Sequence, residues 1–279
     1  MGVDEKYMLV PKNDKPAGKM RRWMYVYLAV DVWTYDLLHI TIYPNNDQDI
    51  AAAFLLALRA KGYHPQVIVT DLRQDYGPVI AQVFPQAEHH ECIFHALQQA
   101  QKHVKDAYGP DYVKQHPQAV HLKQQIAHIF AAETLALATE RYTAVLALLR
   151  QDYVQARPEA AVIFDFLLRH WPRLANSFDS DLIPTTNNTV ERVIGRFDQH
   201  YQNLCGFESI ADAQRYIAVF EKLYRFTPFS QDAQPSVRGK CPLQLAGYDI
   251  SQLPIATICA GLSIVWPVQT QEAIHVPSL

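Results

Sequence analysis

The chain has 279 residues, 49% hydrophobic and 19% charged, enough for one large core or two moderate ones and too apolar for intrinsic disorder. No apolar run approaches the roughly 20 residues of a membrane span, and Met1–Lys6 carries no apolar targeting signal, so a cytoplasmic protein without membrane contact is expected. Lys and Arg total 25 against 28 Asp and Glu, and the resulting net charge of −3 by itself argues against a dedicated nucleic-acid binder, since such proteins are commonly basic.

Val3–Val10 is a short β-prone run, followed by a polar turn over Pro11–Lys19. Arg22–Val32 is rich in β-branched and aromatic residues and predicts a buried strand, with Trp23, Tyr25 and Tyr27 packing on it and Asp31 forming the turn after it. Asp36–Tyr43 is a third strand, joined through a turn near Thr34 and Tyr35, and the short links make the first three strands an antiparallel meander. Asn45–Lys61 begins with cap residues, turns Ala- and Leu-rich, and is stopped by Gly62 as a helix should be. Gln66–Thr70 is a short apolar strand ending at Asp71, and a helix over about Asp75–Val83 follows, with Asp75 as a helix-start acid and Pro85 beyond its end. Glu88–His95 begins extended and passes into a helix.

From Leu97 to Pro172 the pattern is all-helical, clearest in Ala119–Phe130, Leu135–Leu149 and Ala160–Leu168. A polar stretch, Ser177–Asn188, leads to a helix at Thr189–Tyr201 and an amphipathic helix at Asp212–Tyr224, after which the proline-punctuated Thr227–Leu279 reads as short pieces or a loose tail. The expected division is residues 1–96, a helical insertion over 97–176, a return to the first unit over 177–226, and a tail over 227–279. Three antiparallel strands, then strands reached by crossovers, then a final helix give the order of a ribonuclease-H-like α/β fold with a mixed sheet.

In that topology three acids stand out. Asp4 lies inside the first strand, Asp71 at the carboxyl end of the fourth, and Glu191 in the first turn of the helix after the helical block. Carboxylates brought close together suppress one another's ionisation unless cations neutralise them. Hard oxygen ligands suit Mg²⁺ or Mn²⁺, and two such ions about 3.5–4 Å apart can serve in-line displacement at phosphorus.

Three passages resemble the DDE transposases of insertion sequences. They are Val3–Tyr7 with Trp23–Asp31; Val69-Thr70-Asp71 with Tyr76, Ile80 and Phe84-Pro85, running into a Cys-x-x-His element at Cys92 and His95; and Thr186–Arg192, followed by Gly206-Phe207 and Ser209. The 120-residue separation of Asp71 from Glu191 matches the insertion-bearing families. The resemblance implies that Asp4, Asp71 and Glu191 are the catalytic acids and metal ligands of two Mg²⁺ or Mn²⁺ ions, cutting DNA at element ends and joining the freed 3′-hydroxyl to target DNA. It further implies DNA as partner, a homo-oligomer and a nucleoid-associated location. His95, Asn188, Arg192 and Arg196 are expected to contact DNA or support the site. The chain opens three residues before Asp4, so the family's accessory N-terminal DNA-binding domain is expected to be absent. Leu72 departs from the glycine that relatives often carry there. A truncated, inactive remnant and another ribonuclease-H-like nuclease are the alternative readings; the Asn-Asn-x-x-Glu and Gly-Phe-x-Ser blocks fit a transposase better.

His89, His90, Cys92 and His95 invite a zinc reading, but no second Cys/His pair completes a four-ligand set, and the remaining histidines are expected at the surface. Four widely spaced cysteines, Cys92, Cys205, Cys241 and Cys259, are expected as reduced thiols. The charge argument also softens locally: Met1–Arg22 holds six Lys and Arg against three acids. Such a core is expected to bind DNA weakly by itself.

Overall fold

The structure, a computed structural model, describes residues 1–10, 23–180 and 183–250. The expected turn Pro11–Lys19, most of the basic N-terminal group and the tail beyond residue 250 lie outside the described residues.

The first three strands are β1 (Gly2–Leu9), β2 (Trp23–Val30) and β3 (Leu37–Tyr43), followed by α1 (Gln48–Ala60), β4 (Val67–Thr70), α2 (Tyr76–Val83) and β5 (Glu88–Glu91). They form one five-stranded sheet in the order β3-β2-β1-β4-β5, with β1, β2 and β3 antiparallel and β4 and β5 parallel to β1. The period-two alternation of β2 divides its side chains between the two faces. Val26, Leu28 and Val30 join one apolar cluster, while Tyr27 and Ala29 join the other with Phe54, Leu55 and Leu58 of α1 and Val79 and Ile80 of α2.

The helical block comprises α3 (Ile93–Tyr108), α4 (Tyr112–Gln115), α5 (Pro117–Phe130), α6 (Leu135–Leu148), a π turn (Leu149–Tyr153), α7 (Val154–Ala156) and α8 (Ala161–Leu174). It has its own apolar core, in which Val104, Leu122, Ile129, Leu149, Ile163 and Leu174 are fully covered. The chain then returns through α9 (Asn188–Leu204) and α10 (Ile210–Phe226), which cover the β2 face bearing Val26 and Leu28 through Val193, Phe197, Ile217 and Phe220; a last short helix, α11 (Pro242–Leu245), follows. The fold is mixed α/β with helices on both faces of a single mixed sheet.

Several local expectations change. Pro172 does not end its helix: α8 runs on to Leu174 with Pro172 inside it, so the Leu168 carbonyl goes without the helical N–H that a proline cannot supply. The aromatic stripe of β2 is graded rather than packed throughout: Tyr27 is buried but Trp23 is 44% exposed at the strand's start. Asp31 does form the turn, its Oδ1 accepting from the Trp33 and Thr34 amides at 2.8 and 2.9 Å, and Tyr35 completes it with a positive φ of 62°. The histidines expected at the surface are partly interior. His170 is 5% exposed, and His39 stacks on Phe54 with ring centroids 5.3 Å apart.

Candidate active site

Strand register brings the first two acids together. Gly2 of β1 pairs in parallel with Val69 of β4, so Asp4 and Asp71, each two residues further on, stand level on neighbouring chain segments. Asp4 lies across from Leu28, on the face that α9 and α10 cover. A backbone amide serves each acid: the Glu5 N–H donates to Asp4 Oδ1 at 2.8 Å, and the Arg73 N–H to Asp71 Oδ1 at 3.0 Å.

Both carboxyls hold their protons well above the usual range. Burial, then the charges of Glu5 and Asp71, push Asp4 up to about 7, against the pull of the Glu5 amide and His95. Burial and Glu5 push Asp71 up to about 6, opposed by the amide and guanidinium of Arg73 and by His95.

The third acid stands with a histidine. Glu191 occupies the first turn of α9, and its Oε1 lies 3.5 Å from Nε2 of His95, in the first turn of α3. The Cys92 side chain and the carboxylates of Asp4 and Glu191 outweigh partial burial and raise His95 to about 9. His95 therefore carries positive charge among the three acids at neutral pH.

Asn187 joins the elements that carry these groups. It is fully buried, its Nδ2 donates to the Val3 carbonyl of β1 at 3.1 Å, and its backbone N–H meets Cys92 Sγ at 3.3 Å. The approach requires a bare backbone opposite: a Cβ on Gly2 would collide with Val190 and come within 2.5 Å of Asn187 Oδ1. Asn187→Ala is expected to cost about 1–3 kcal/mol, since it leaves a buried carbonyl short of a partner; urea unfolding measures this, and a loss below about 0.5 kcal/mol would show that the junction does not depend on the amide.

The remaining site candidates distribute unevenly. Asn188, chosen from the sequence, is exposed, and its neighbour Asn187 makes the junction. Arg192 is exposed beside Glu191. The Arg196 guanidinium lies 5.7 Å from the Tyr224 ring centre and 5.1 Å from that of Phe229, so it packs on the last turn of α10 and the segment just after it. Cys92 is buried at the junction, and Leu72 packs against the helical core, tying the segment after Asp71 to the helical block.

For a divalent cation, donor chemistry and spacing give different answers. Two half-buried carboxylates, each holding its proton more tightly because of burial and neighbouring acids, are all-oxygen donors that a hard cation would relieve. Yet among the described residues no group of three or more His, Cys, Asp and Glu side chains is spaced to hold a metal ion. Asp4 and Asp71 fit as a pair, and Glu191 stands with His95 instead.

A single mixed sheet with one acid on its central strand β1, a second just beyond the end of the neighbouring β4, and a third on the helix returning across it, defines a mixed α/β protein consistent with the ribonuclease-H-like class. The family described as Transposase IS66 family matches residues 1–215, and the chain belongs to that family. No match is found among curated proteins. No helix among the described residues is long and apolar enough to cross a membrane.

Proposed function

We propose that this transposase cleaves DNA at the ends of its element and transfers the freed 3′ end to target DNA, using Asp4, Asp71 and Glu191 as ligands for two Mg²⁺ or Mn²⁺ ions in a ribonuclease-H-like core. The observation that carries the reading is the level placement of Asp4 and Asp71, with both pushed toward protonation. When bound, such cations would activate the attacking oxygen and stabilise the leaving one. The chain's own part is orientation. The Glu5 and Arg73 amides fix one oxygen of each acid, and α9 carries Glu191 from the Asn187 junction. His95 holds Glu191 by charge and offsets the negative potential that would otherwise repel a phosphodiester.

Arg192 and Asn188, exposed on the same helix end, are proposed to meet the DNA backbone. The helical block over 97–176 is taken as an insertion between 1–96 and 177–226, and a homo-oligomer holding two ends belongs to the same proposal. The test is an assay with radiolabelled duplexes of the element's own ends. Nicked and joined products that require Mg²⁺ or Mn²⁺ and vanish in chelator are expected; no product with any end length would favour an inactive remnant, and equal cutting of unrelated DNA would favour a general nuclease.

A further inference from the structure

We propose that the ion pair between Glu5 and Arg73 is a positioning device that sets the separation and orientation of Asp4 and Asp71; the inference rests on the metal-site reading above. Its basis is a closed chain of contacts. Glu5 and Arg73 are the two residues whose backbone N–H groups hold Asp4 Oδ1 and Asp71 Oδ1, at 2.8 and 3.0 Å. Their side chains then bond to each other, Arg73 Nη1 donating to Glu5 Oε1 at 2.5 Å. The peptide units that orient the two acids are thereby welded through one salt bridge.

The weld sits on the opposite side of the sheet from Asp4. Glu5 follows Asp4 in β1 and so points to the other face, across from Tyr27 and toward α1 and α2. There its carboxylate is saturated: Oε1 also accepts from Asn46 Nδ2 at 3.0 Å, and Oε2 accepts from the Tyr76 hydroxyl at 2.7 Å. Arg73 is held as fully. Nη1 also donates to the Tyr27 hydroxyl at 3.1 Å and to Asn46 Oδ1, Nη2 donates to Asp75 Oδ2 at 2.9 Å, and the guanidinium lies 5.1 Å from the Tyr76 ring centre. The side chains are 7% and 19% exposed, so neither is placed to meet DNA.

A buried pair of this kind gives little stability over apolar replacements of similar volume. What it provides that an apolar pair cannot is a fixed, directional distance between two segments 68 positions apart in sequence. The outer partners of metal ligands have this role in general, and losing one typically weakens metal binding about 10–100-fold.

The experiment measures Mn²⁺ binding by electron paramagnetic resonance on the full chain, with thermal unfolding alongside. Wild type, Asp71→Asn, Glu5→Gln, Arg73→Gln, the Glu5→Gln/Arg73→Gln double variant and Tyr76→Phe are compared. Each single clamp variant is expected to bind Mn²⁺ about 10–100-fold more weakly while folded, with the double variant no weaker than the worse single, because both break one link. Tyr76→Phe keeps both charges and removes one hydrogen bond, so it is expected to weaken binding about 2–10-fold; it decides the matter where the charge variants fail to fold. Unchanged Mn²⁺ affinity in folded variants, with only a lower melting temperature, would overturn the clamp and leave the metal site standing. Wild-type binding that Asp71→Asn does not reduce would overturn the metal-site reading and the clamp with it.

Discussion

Asp71→Asn is expected to lower Mg²⁺-dependent strand cleavage by at least roughly 10³-fold, because a cation held on a displaced or weakened ligand forfeits several kcal/mol of charge stabilisation in the transition state and each tenfold in rate is about 1.4 kcal/mol. The same substitution is expected to make the metal-free protein more stable, and the two outcomes together separate a functional acid from a structural one. Folded Asp71 releases its proton at about 6 instead of the ordinary 3.8, so between those values the folded chain binds more protons than the unfolded chain and loses stability as pH rises. Asparagine never ionises. In chelator the variant should therefore match wild type near pH 4 and exceed it by about 1–3 kcal/mol above pH 6, the upper value reduced by screening at a half-buried site. Denaturant titrations at several pH values check this. A variant that loses stability at neutral pH would mean that Asp71 is held by favourable partners, and the cation would lose its rationale.

That burial of charge without full compensation is what the sequence could partly announce. An acid ending an apolar β-branched run, as Asp71 ends Val67–Thr70, is conspicuous, and β1 to β4 followed from β-branched and aromatic runs bounded by turn residues, whereas the polar β5 read only as an extended start to a helix. Glu5 and Arg73 were invisible for a physical reason. Each looks like an ordinary neighbour of a better candidate, and their bond exists only once β1 and the segment after β4 lie side by side. Asn187 was hidden by helix phase: one residue in a Thr-Thr-Asn-Asn run decides which amide turns inward, and it is Asn187 that is buried and bonds the Val3 carbonyl while Asn188 stays exposed. His170 did leave a signal. Helical spacing carried past Leu168 puts it on the face of Ile163, Phe166, Leu167 and Leu174, against the expectation of a surface histidine, while its partner Glu91, at 2.6 Å, is visible only once β5 and α8 are packed together.

The weld of α10 to the sheet gives the second large effect. Arg225 donates from Nε and Nη2 to the two oxygens of Asp36, both at 2.8 Å, with the side chains 10% and 3% exposed. Asp36 directly precedes β3, and the neighbouring Tyr224 hydroxyl donates to the Tyr35 carbonyl at 3.0 Å, so two adjacent side chains of α10 clasp the turn between β2 and β3. Arg225→Met keeps the apolar stem but leaves the Asp36 carboxylate buried and unpaired, and the expected cost is about 3–5 kcal/mol. For a chain of this size the melting temperature should fall by roughly 6–20 °C. Adding Asp36→Leu to that variant removes the stranded charge and should recover most of the loss, because replacing both partners of a buried pair by apolar side chains is close to neutral. If the double variant is no better than the single one, the bidentate geometry itself carries the stability. Since β3 is the edge strand, separated from β4 by both β2 and β1, the folded fraction of either variant should keep the proposed Asp71-dependent cleavage at the wild-type rate, which distinguishes damage to the scaffold from damage to the acids.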